Sequence, residues 1–281
     1  MTEASAASPE AFEIPCKDGL SIRGETYPAE SSIGTVIVCH GFKGFAHWAF
    51  FPYLGQTLAE HGLTAITFDF AGSGIGADRE SFTELGAFAG NTLSREQEDL
   101  ENLVDYARRR KLITGKFGLF GHSRGGATAI LFAAAPDSDV SSLVTWAAIS
   151  YPNRWSKEDV ITWRRQGYAE VLNSRTGQTM RLDTDLLDDV EMHGQTKLNV
   201  EAAAARIKVP WLIVHGTADE TVPSSEAEGL HSLSPNVSTL RLIKGANHGF
   251  DAKHPLGEAP PVLEKVVLET VKFFVRNATA K

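Results

Sequence analysis

A serine flanked by glycines lies near the middle of the 281-residue chain, at Ser123 in the sequence GHSRG. The pattern G-x-S-x-G alone arises by chance in about one chain in ten of this length. Here it follows an apolar run over residues 116–120 and precedes an apolar helical pattern over residues 124–135. Because this strand–turn–helix context is that of a nucleophile elbow, we predict that Ser123 is a nucleophile. The alternative is an ordinary glycine-rich turn whose serine caps a helix.

A serine hydroxyl attacks well only when a neighbouring base takes its proton, and histidine is the usual base. His248 follows a strand-like run over residues 239–243. Since open α/β sheets bind ligands at the carboxyl ends of their strands, we predict that His248 is the base. His254 is the alternative, a few residues later. Four further histidines fit surface helices or loops, namely His47, His61, His193 and His231.

A carboxylate is needed to orient the imidazole and to stabilise its protonated form. Asp219 lies just after an apolar run over residues 211–214, which gives the chain order Ser, Asp, His. Glu220 is adjacent but is expected to point elsewhere. The preceding strand ends in the sequence ISYP (residues 149–152), which contains no carboxylate. We therefore predict that Asp219 is the acid.

The oxyanion formed during acyl transfer needs fixed hydrogen-bond donors, each worth roughly 3–4 kcal/mol when removed. We predict that one donor is the backbone N–H of Arg124, at the start of the helix after Ser123. The other is expected from the loop over residues 40–44, at the N–H of Phe42. Taken alone, His40-Gly41 also fits a plain turn.

Strand-like apolar runs alternate with helical patterns along most of the chain, which predicts a mainly parallel sheet covered by helices on both faces. Residues 12–27 predict an N-terminal antiparallel hairpin around Asp18-Gly19. A capping-box sequence at Ser94 predicts the start of a helix. The predicted strands of the sheet span residues 35–39, 63–68, 116–120, 143–149, 211–214 and 239–243, and further helices are predicted over 53–60 and from 261 onward.

We predict a single domain over residues 1–281, with a loose tail at 1–10 and a small helical cap or lid inserted at 151–206, where the alternation breaks. Aromatic side chains in the insertion are expected to line the substrate pocket: Trp155, Trp163 and Tyr168. The insertion also carries an acidic cluster, formed by Asp183, Asp185, Asp188 and Asp189.

The formal net charge of −8 argues against a broad nucleic-acid surface, which needs clustered positive charge. No run approaches the roughly 18 apolar residues of a membrane span, and the N-terminal residues do not resemble a signal peptide, so we expect a cytoplasmic protein that acts on a small molecule. The glycine-rich stretch at 72–77 is not followed at once by a helix, as dinucleotide binding requires. No spacing typical of a metal site occurs, and Asp69 is expected to stabilise a loop.

With these residues placed, the chain resembles the α/β-hydrolase superfamily over nearly its whole length, and within it the small bacterial carboxylesterases that include the feruloyl (cinnamoyl) esterases. The matching segments are residues 40–42, 68–74, 121–125, 215–223 and 247–250. The resemblance implies ester hydrolysis through an acyl-enzyme, without a cofactor, and supports Phe42 and Arg124 as oxyanion donors. One departure is Arg124, because those esterases often have glutamine after the nucleophile.

Two other classes of function remain open at this stage. A serine peptidase or thioesterase of the same fold would use the same machinery, and the acidic cluster could hold the ammonium group of a peptide substrate. A non-catalytic binding module could retain the fold, although a complete Ser–His–Asp set argues against it. The oligomeric state is not predicted.

Overall fold

Strands and helices alternate along most of the chain in the computed structural model, which describes residues 8–173 and 176–278. The strands are β1 Glu10–Pro15, β2 Ser21–Tyr27, β3 Gly34–Cys39, β4 Leu63–Asp69, β5 Phe117–His122, β6 Val140–Trp146, β7 Tyr168–Asn173, β8 Gln178–Asp183, β9 Trp211–Gly216 and β10 Ser238–Ile243. The helices are α1 Phe50–Glu60, α2 Leu85–Ala89, α3 Leu93–Arg109, α4 Arg124–Ala133, α5 Lys157–Gln166, α6 Asp185–His193, α7 Val200–Ala204, α8 Ser224–Leu233 and α9 Pro261–Asn277.

The main sheet has eight strands in the order β1-β2-β4-β3-β5-β6-β9-β10. β1 and β2 form the predicted antiparallel hairpin, and β2 also runs antiparallel to β4. The remaining neighbours are parallel. The carboxyl ends of β3, β5, β9 and β10 therefore lie at one edge of the sheet, where the loops after them meet. This architecture confirms the predicted α/β class and the α/β-hydrolase fold.

Each central strand is apolar on both sides because helices cover both faces of the sheet. In β3, Ile37 packs into one buried cluster, together with α3 residues such as Leu100 and Leu103. Its neighbour Val38 packs into the other cluster, with residues such as Leu54 of α1 and Val267 of α9. Successive side chains of a strand point to opposite faces, so a strand between two helical layers is largely apolar on both sides. This is why the buried runs lack alternation.

Helix α3 starts slightly earlier than the predicted cap at Ser94. Its N-cap is Thr92, whose side chain accepts a hydrogen bond from the N–H of Arg95. Ser94 lies inside the first turn, and both its backbone N–H and its hydroxyl bind the carboxylate of Asp189 in α6. The hydroxyl of Ser94, from which the cap was predicted, therefore hydrogen-bonds the insertion to α3 of the main sheet's helical layer.

The insertion contains helices, as predicted, but also an antiparallel hairpin that the sequence reading missed. β7 and β8 form a separate two-stranded sheet in which Tyr168 pairs with Asp183. The sequence signal for this hairpin was the alternation in β8, where Met180 and Leu182 are buried while Thr179 and Arg181 are exposed. The short length of the two strands concealed this period-two pattern.

Residues 1–7 of the predicted loose tail lie outside the described residues, and β1 already begins at Glu10. Within residues 8–173 and 176–278, no helix has both the length and the apolar character needed to cross a membrane.

Candidate active site

Ser123 lies at the apex of a sharp turn between β5 and α4, with φ 56° and ψ −121°. A non-glycine residue at positive φ is strained and persists only where the surroundings fix it. The N–H of Ser123 donates to the carbonyl of Trp146 at 2.9 Å, and its carbonyl accepts from Gly126 at 3.0 Å. A β-carbon added to Gly121 would lie 2.2 Å from the carbonyl oxygen of Gly125, and one added to Gly125 would lie 2.3 Å from the carbonyl oxygen of His40. The glycines of the motif are therefore required by close backbone packing.

His248 and Asp219 are joined by a hydrogen bond of 2.7 Å between Nδ1 and Oδ2. The carboxylate can only accept here, so Nδ1 carries the proton and Nε2 is left as the basic nitrogen of the neutral ring. Both Ser123 and His248 line the same cavity. The structure thus brings together the three side chains that the sequence singled out from distant positions.

The carboxylate of Asp219 is fully buried and receives four hydrogen bonds. Oδ1 accepts from the backbone N–H groups of Thr221 at 2.8 Å and Val222 at 2.9 Å. Oδ2 accepts from His248 and lies 3.2 Å from Nε2 of His215. Although burial favours the neutral acid, hydrogen bonds from His215 and His248 hold the pKa of Asp219 well below its usual range.

His215 and His122 are two further residues of the site to which the sequence analysis assigned no role. His215 is fully buried at the end of β9, and its Nε2–H also points at the carbonyl of Val222 at 2.9 Å. Its position at the end of a predicted strand, four residues before Asp219, was the available signal. It acts as a second imidazole donor to the acid.

His122 lies directly behind the nucleophile, with its ring 4.7 Å from that of His248. It is buried among aromatic rings that include Phe50, and burial lowers its pKa to about 3, so it is neutral at physiological pH. Its Nε2 lies 3.0 Å from the backbone carbonyl of His248 and must carry the proton, because a carbonyl only accepts. This bond fixes the loop that carries His248.

The loop after β3 lies against the nucleophile turn. A β-carbon on Gly41 would come within 2.9 Å of the β-carbon of Ser123, so glycine permits this close approach. Asp69 fixes the loop through a 2.6 Å hydrogen bond from the N–H of Ala46 to its Oδ1. Burial raises the pKa of Asp69 to about 6. Phe42 and Arg124, the predicted oxyanion donors, both line the cavity.

The cavity has a volume of about 410 Å³ and is lined by residues from the loops at the sheet edge and from the insertion. Trp155 lines it, as predicted, but Trp163 and Tyr168 do not. Trp163 is buried behind Trp155, with the two rings edge to face at 5.1 Å. Tyr168 starts the hairpin and lies under the guanidinium of Arg181 at 4.5 Å. Packing within the insertion thus occupies two of the three predicted pocket aromatics.

The model of the family described as the alpha/beta hydrolase fold matches residues 34–173, which include the nucleophile turn. The chain belongs to the α/β-hydrolase superfamily. The hydrolase is 25% identical over 257 residues to the uncharacterized protein YfhR of Escherichia coli K12, covering 88% of this chain and 76% of that protein.

Solved structures share the fold of this hydrolase at low sequence identity. Est1E from Butyrivibrio proteoclasticus, solved with ferulic acid bound, has a TM-score of 0.73 at 22% identity, covering 95% of this chain and 98% of the other. GrgF, an alpha/beta hydrolase from Penicillium sp. sh18, has a TM-score of 0.75 at 19% identity, covering 97% and 99% of the two chains. A monoacylglycerol lipase from Paleococcus ferrophilus has a TM-score of 0.67 at 18% identity, covering 96% and 100%.

The alternative base, His254, has a structural role in the hydrolase. Its Nδ1 accepts a hydrogen bond of 3.0 Å from the N–H of Ala49, and its ring packs edge to face on Phe45. The alternative acid, Glu220, is exposed, whereas the side chain of Asp219 is buried. The hydrogen bond between His248 and Asp219 and the burial of Asp219 therefore favour these two residues as base and acid.

The acidic cluster of the insertion lies outside the cavity. Asp183 pairs with Arg181, Asp188 pairs with Arg164, and Asp189 binds Ser94. Within the described ranges, no group of three or more His, Cys, Asp or Glu residues is arranged to hold a metal ion.

Proposed function

We propose that this hydrolase cleaves carboxylic esters of small acyl or aryl groups through an acyl-enzyme intermediate on Ser123. The observation that carries the proposal is the convergence of a strained serine and a histidine on one cavity, with the histidine hydrogen-bonded to a buried, ionised carboxylate. These are the three groups needed for a hydroxyl to lose its proton as it attacks a carbonyl carbon.

In the first half-reaction, Nε2 of His248 takes the proton of Ser123 as the hydroxyl oxygen attacks the ester carbonyl. The backbone N–H groups of Phe42 and Arg124 stabilise the oxyanion that forms. His248 then gives its proton to the departing alcohol, which leaves the acyl group bonded to Ser123. A water molecule, activated by the same imidazole, releases the acid. Asp219 holds the Nδ1–H throughout and stabilises the imidazolium.

The insertion acts as a lid in this proposal, because several of its residues form the wall of the cavity opposite the sheet. Pro152, Arg154 and Trp155 line the cavity from the segment that follows β6, and Leu186 does so from α6. An aminopeptidase is disfavoured, since the acidic cluster lies outside the cavity and, among the described residues, no carboxylate lines it.

The test is the variant Ser123→Ala, compared with Ser232→Ala, which removes an exposed hydroxyl on α8. We expect Ser123→Ala to lower 4-nitrophenyl acetate hydrolysis by about 10⁴-fold or more, and to abolish labelling by a fluorophosphonate probe, while circular dichroism stays unchanged. Ser232→Ala is expected to behave as the wild type. Residual turnover above a tenth of the wild-type rate in purified Ser123→Ala would refute the proposal.

A further inference from the structure

Three cationic side chains line the cavity of a protein whose net charge is −8: Lys43, Arg124 and Arg154. In the described part of the chain, the lining contains no aspartate or glutamate. Glu96 and Glu226, which pair with the two arginines, are buried behind them and do not reach the cavity surface. The arginine of each ion pair therefore faces the cavity while its carboxylate does not, so the electrostatic potential in the cavity favours an anion.

The guanidinium of Arg124 is fixed beside the nucleophile. Its side chain is only 8% exposed, and its Nη2 lies 2.9 Å from Oε1 of Glu96. Glu96 is itself held by Asn91 at 3.0 Å and by Thr128 at 3.1 Å. The Cζ atom of Arg124 also lies 5.4 Å from the centre of the Phe42 ring. A side chain held on two sides in this way loses little conformational entropy when a ligand binds.

Two nitrogens of this guanidinium, Nε and Nη2, are buried and make no hydrogen bond among the described residues, so the contact of Nη2 with Glu96 is an ion pair without hydrogen-bond geometry. A buried donor left without a partner costs about 1–3 kcal/mol. The guanidinium has five N–H groups in a planar fork, and Glu96 engages only one side of it. A carboxylate bound in the cavity would be attracted by this guanidinium, whose planar fork suits carboxylate recognition.

The position of Arg124 selects the acyl part of the ester. In the proposed mechanism His248 protonates the leaving alcohol, so the alcohol lies on the side of β9 and β10. The guanidinium of Arg124 pairs with Glu96 of α3, which connects β4 and β5, and these strands lie on the other side of β6 from β9 and β10 in the sheet. Leu93, at the start of α3, and Leu186 line the cavity there and offer apolar contact to a hydrocarbon chain.

We propose that the acyl group of the substrate carries a terminal carboxylate, which the side chain of Arg124 binds, so that the preferred substrates are monoesters of dicarboxylic acids. This inference rests on the proposed ester hydrolysis at Ser123. It assigns to the side chain of Arg124 a specificity role separate from that of its backbone N–H. Lys43 and Arg154 add to the positive potential of the same cavity.

The kinetic test compares 4-nitrophenyl hemiglutarate and hemiadipate with the same compounds whose free carboxylate is capped as a methyl ester. We expect the wild type to prefer the anionic substrate by at least about tenfold in kcat/KM. Arg124→Gln should lower that preference by about 10- to 100-fold, the range for a hydrogen bond to a charged group. Arg164→Gln is the matched control, because Arg164 is exposed, pairs with Asp188 and lies outside this cavity.

A binding test separates this inference from the proposed chemistry. Calorimetry with adipate on Ser123→Ala should show binding that is lost when Arg124→Gln is added and kept when Arg164→Gln is added. If Arg124→Gln does not fold, Arg124→Lys takes its place; it keeps the charge but loses the planar fork, and it should weaken binding several-fold.

A wild type that hydrolyses the capped esters as well as the anionic ones would overturn the carboxylate subsite while leaving ester hydrolysis intact. So would an unchanged preference in Arg124→Gln. Conversely, adipate binding that depends on Arg124, in a protein that cleaves no ester, would support the subsite and refute the proposed function.

Discussion

Two buried carboxylates, Asp69 at the end of β4 and Asp219 just after β9, lie at parallel strands of the same sheet, yet their surroundings drive their ionisation in opposite directions. Asp219 receives four hydrogen bonds, and its pKa is held well below its usual range. Asp69 accepts one backbone hydrogen bond on Oδ1, its Oδ2 has no hydrogen-bond partner among the described residues, and burial raises its pKa to about 6. Burial alone makes a carboxyl group a weaker acid, and converging donors make it a stable anion.

A histidine lies near each of these carboxylates, but only one of the two histidines donates a hydrogen bond to its carboxylate. Nε2 of His40 lies 4.0 Å from Asp69 but accepts a hydrogen bond from the N–H of Phe70, so it carries no proton towards the carboxylate. Nδ1 of His248 donates directly to Asp219 at 2.7 Å. Only the second arrangement can stabilise an imidazolium during proton transfer, which is why Asp219 fits a catalytic role and Asp69 a structural one.

The largest expected effect is a loss of kcat when the carboxylate of Asp219 is replaced by its amide. Asp219→Asn should lower kcat for 4-nitrophenyl acetate by about 10³- to 10⁴-fold, because the amide no longer holds His248 in the required tautomer. Asp69→Asn is the matched control, since it removes the same charge from another buried site, and its kcat should stay within about tenfold of the wild type. Equal losses in both variants would remove the distinction between the two carboxylates.

The second prediction concerns stability against pH. In the folded protein the pKa of Asp69 is about 6, against an ordinary value of 3.8, so between these pH values the folded state keeps a proton that the unfolded chain releases. The contribution of Asp69 to the free energy of unfolding therefore falls as the pH rises through this window, by about 3 kcal/mol relative to Asp69→Asn.

Asp219 should show the opposite sign. Because its folded-state pKa is lowered, the stability that it contributes relative to Asp219→Asn is fully present above about pH 4, near its ordinary value, and is lost as the pH falls below this. Denaturant titrations of the wild type and both variants from about pH 2 to about pH 7.5 measure the two slopes. Parallel slopes for the two variants would contradict the assigned pKa directions.

The smallest expected effect tests the second imidazole on Asp219. His215→Phe removes the Nε2–H that lies 3.2 Å from the carboxylate, and it should lower kcat/KM by about tenfold, the cost of one hydrogen bond to a charged group. His215→Gln can retain an N–H donor in this position and should recover most of the loss. If both variants lose activity equally, His215 acts through packing alone.

The sequence predicted the strand–helix alternation well because strands covered on both faces are largely apolar on both sides. β4, for example, is buried along its whole length and was predicted over nearly the same residues. The hairpin β7–β8 was missed because its strands are short and partly exposed, so they carry only a weak alternating pattern. The pocket prediction for Trp163 and Tyr168 was wrong because aromatic residues in an insertion pack on each other as readily as on a substrate.

Local chemistry was enough to propose Ser123, His248 and Asp219 as catalytic residues, because each follows a predicted strand and each has the residue type that its proposed role requires. What only the tertiary structure decided is which groups surround them. The donors to Asp219 come from β9 and from loops that the sheet brings together, the buried ring of His122 fixes the loop of His248, and α3 supplies Glu96 to the guanidinium of Arg124. Apart from His215 and Asp219, these contacts join residues that are far apart in the chain, and ionisation depends on burial and distance, which residue spacing does not encode.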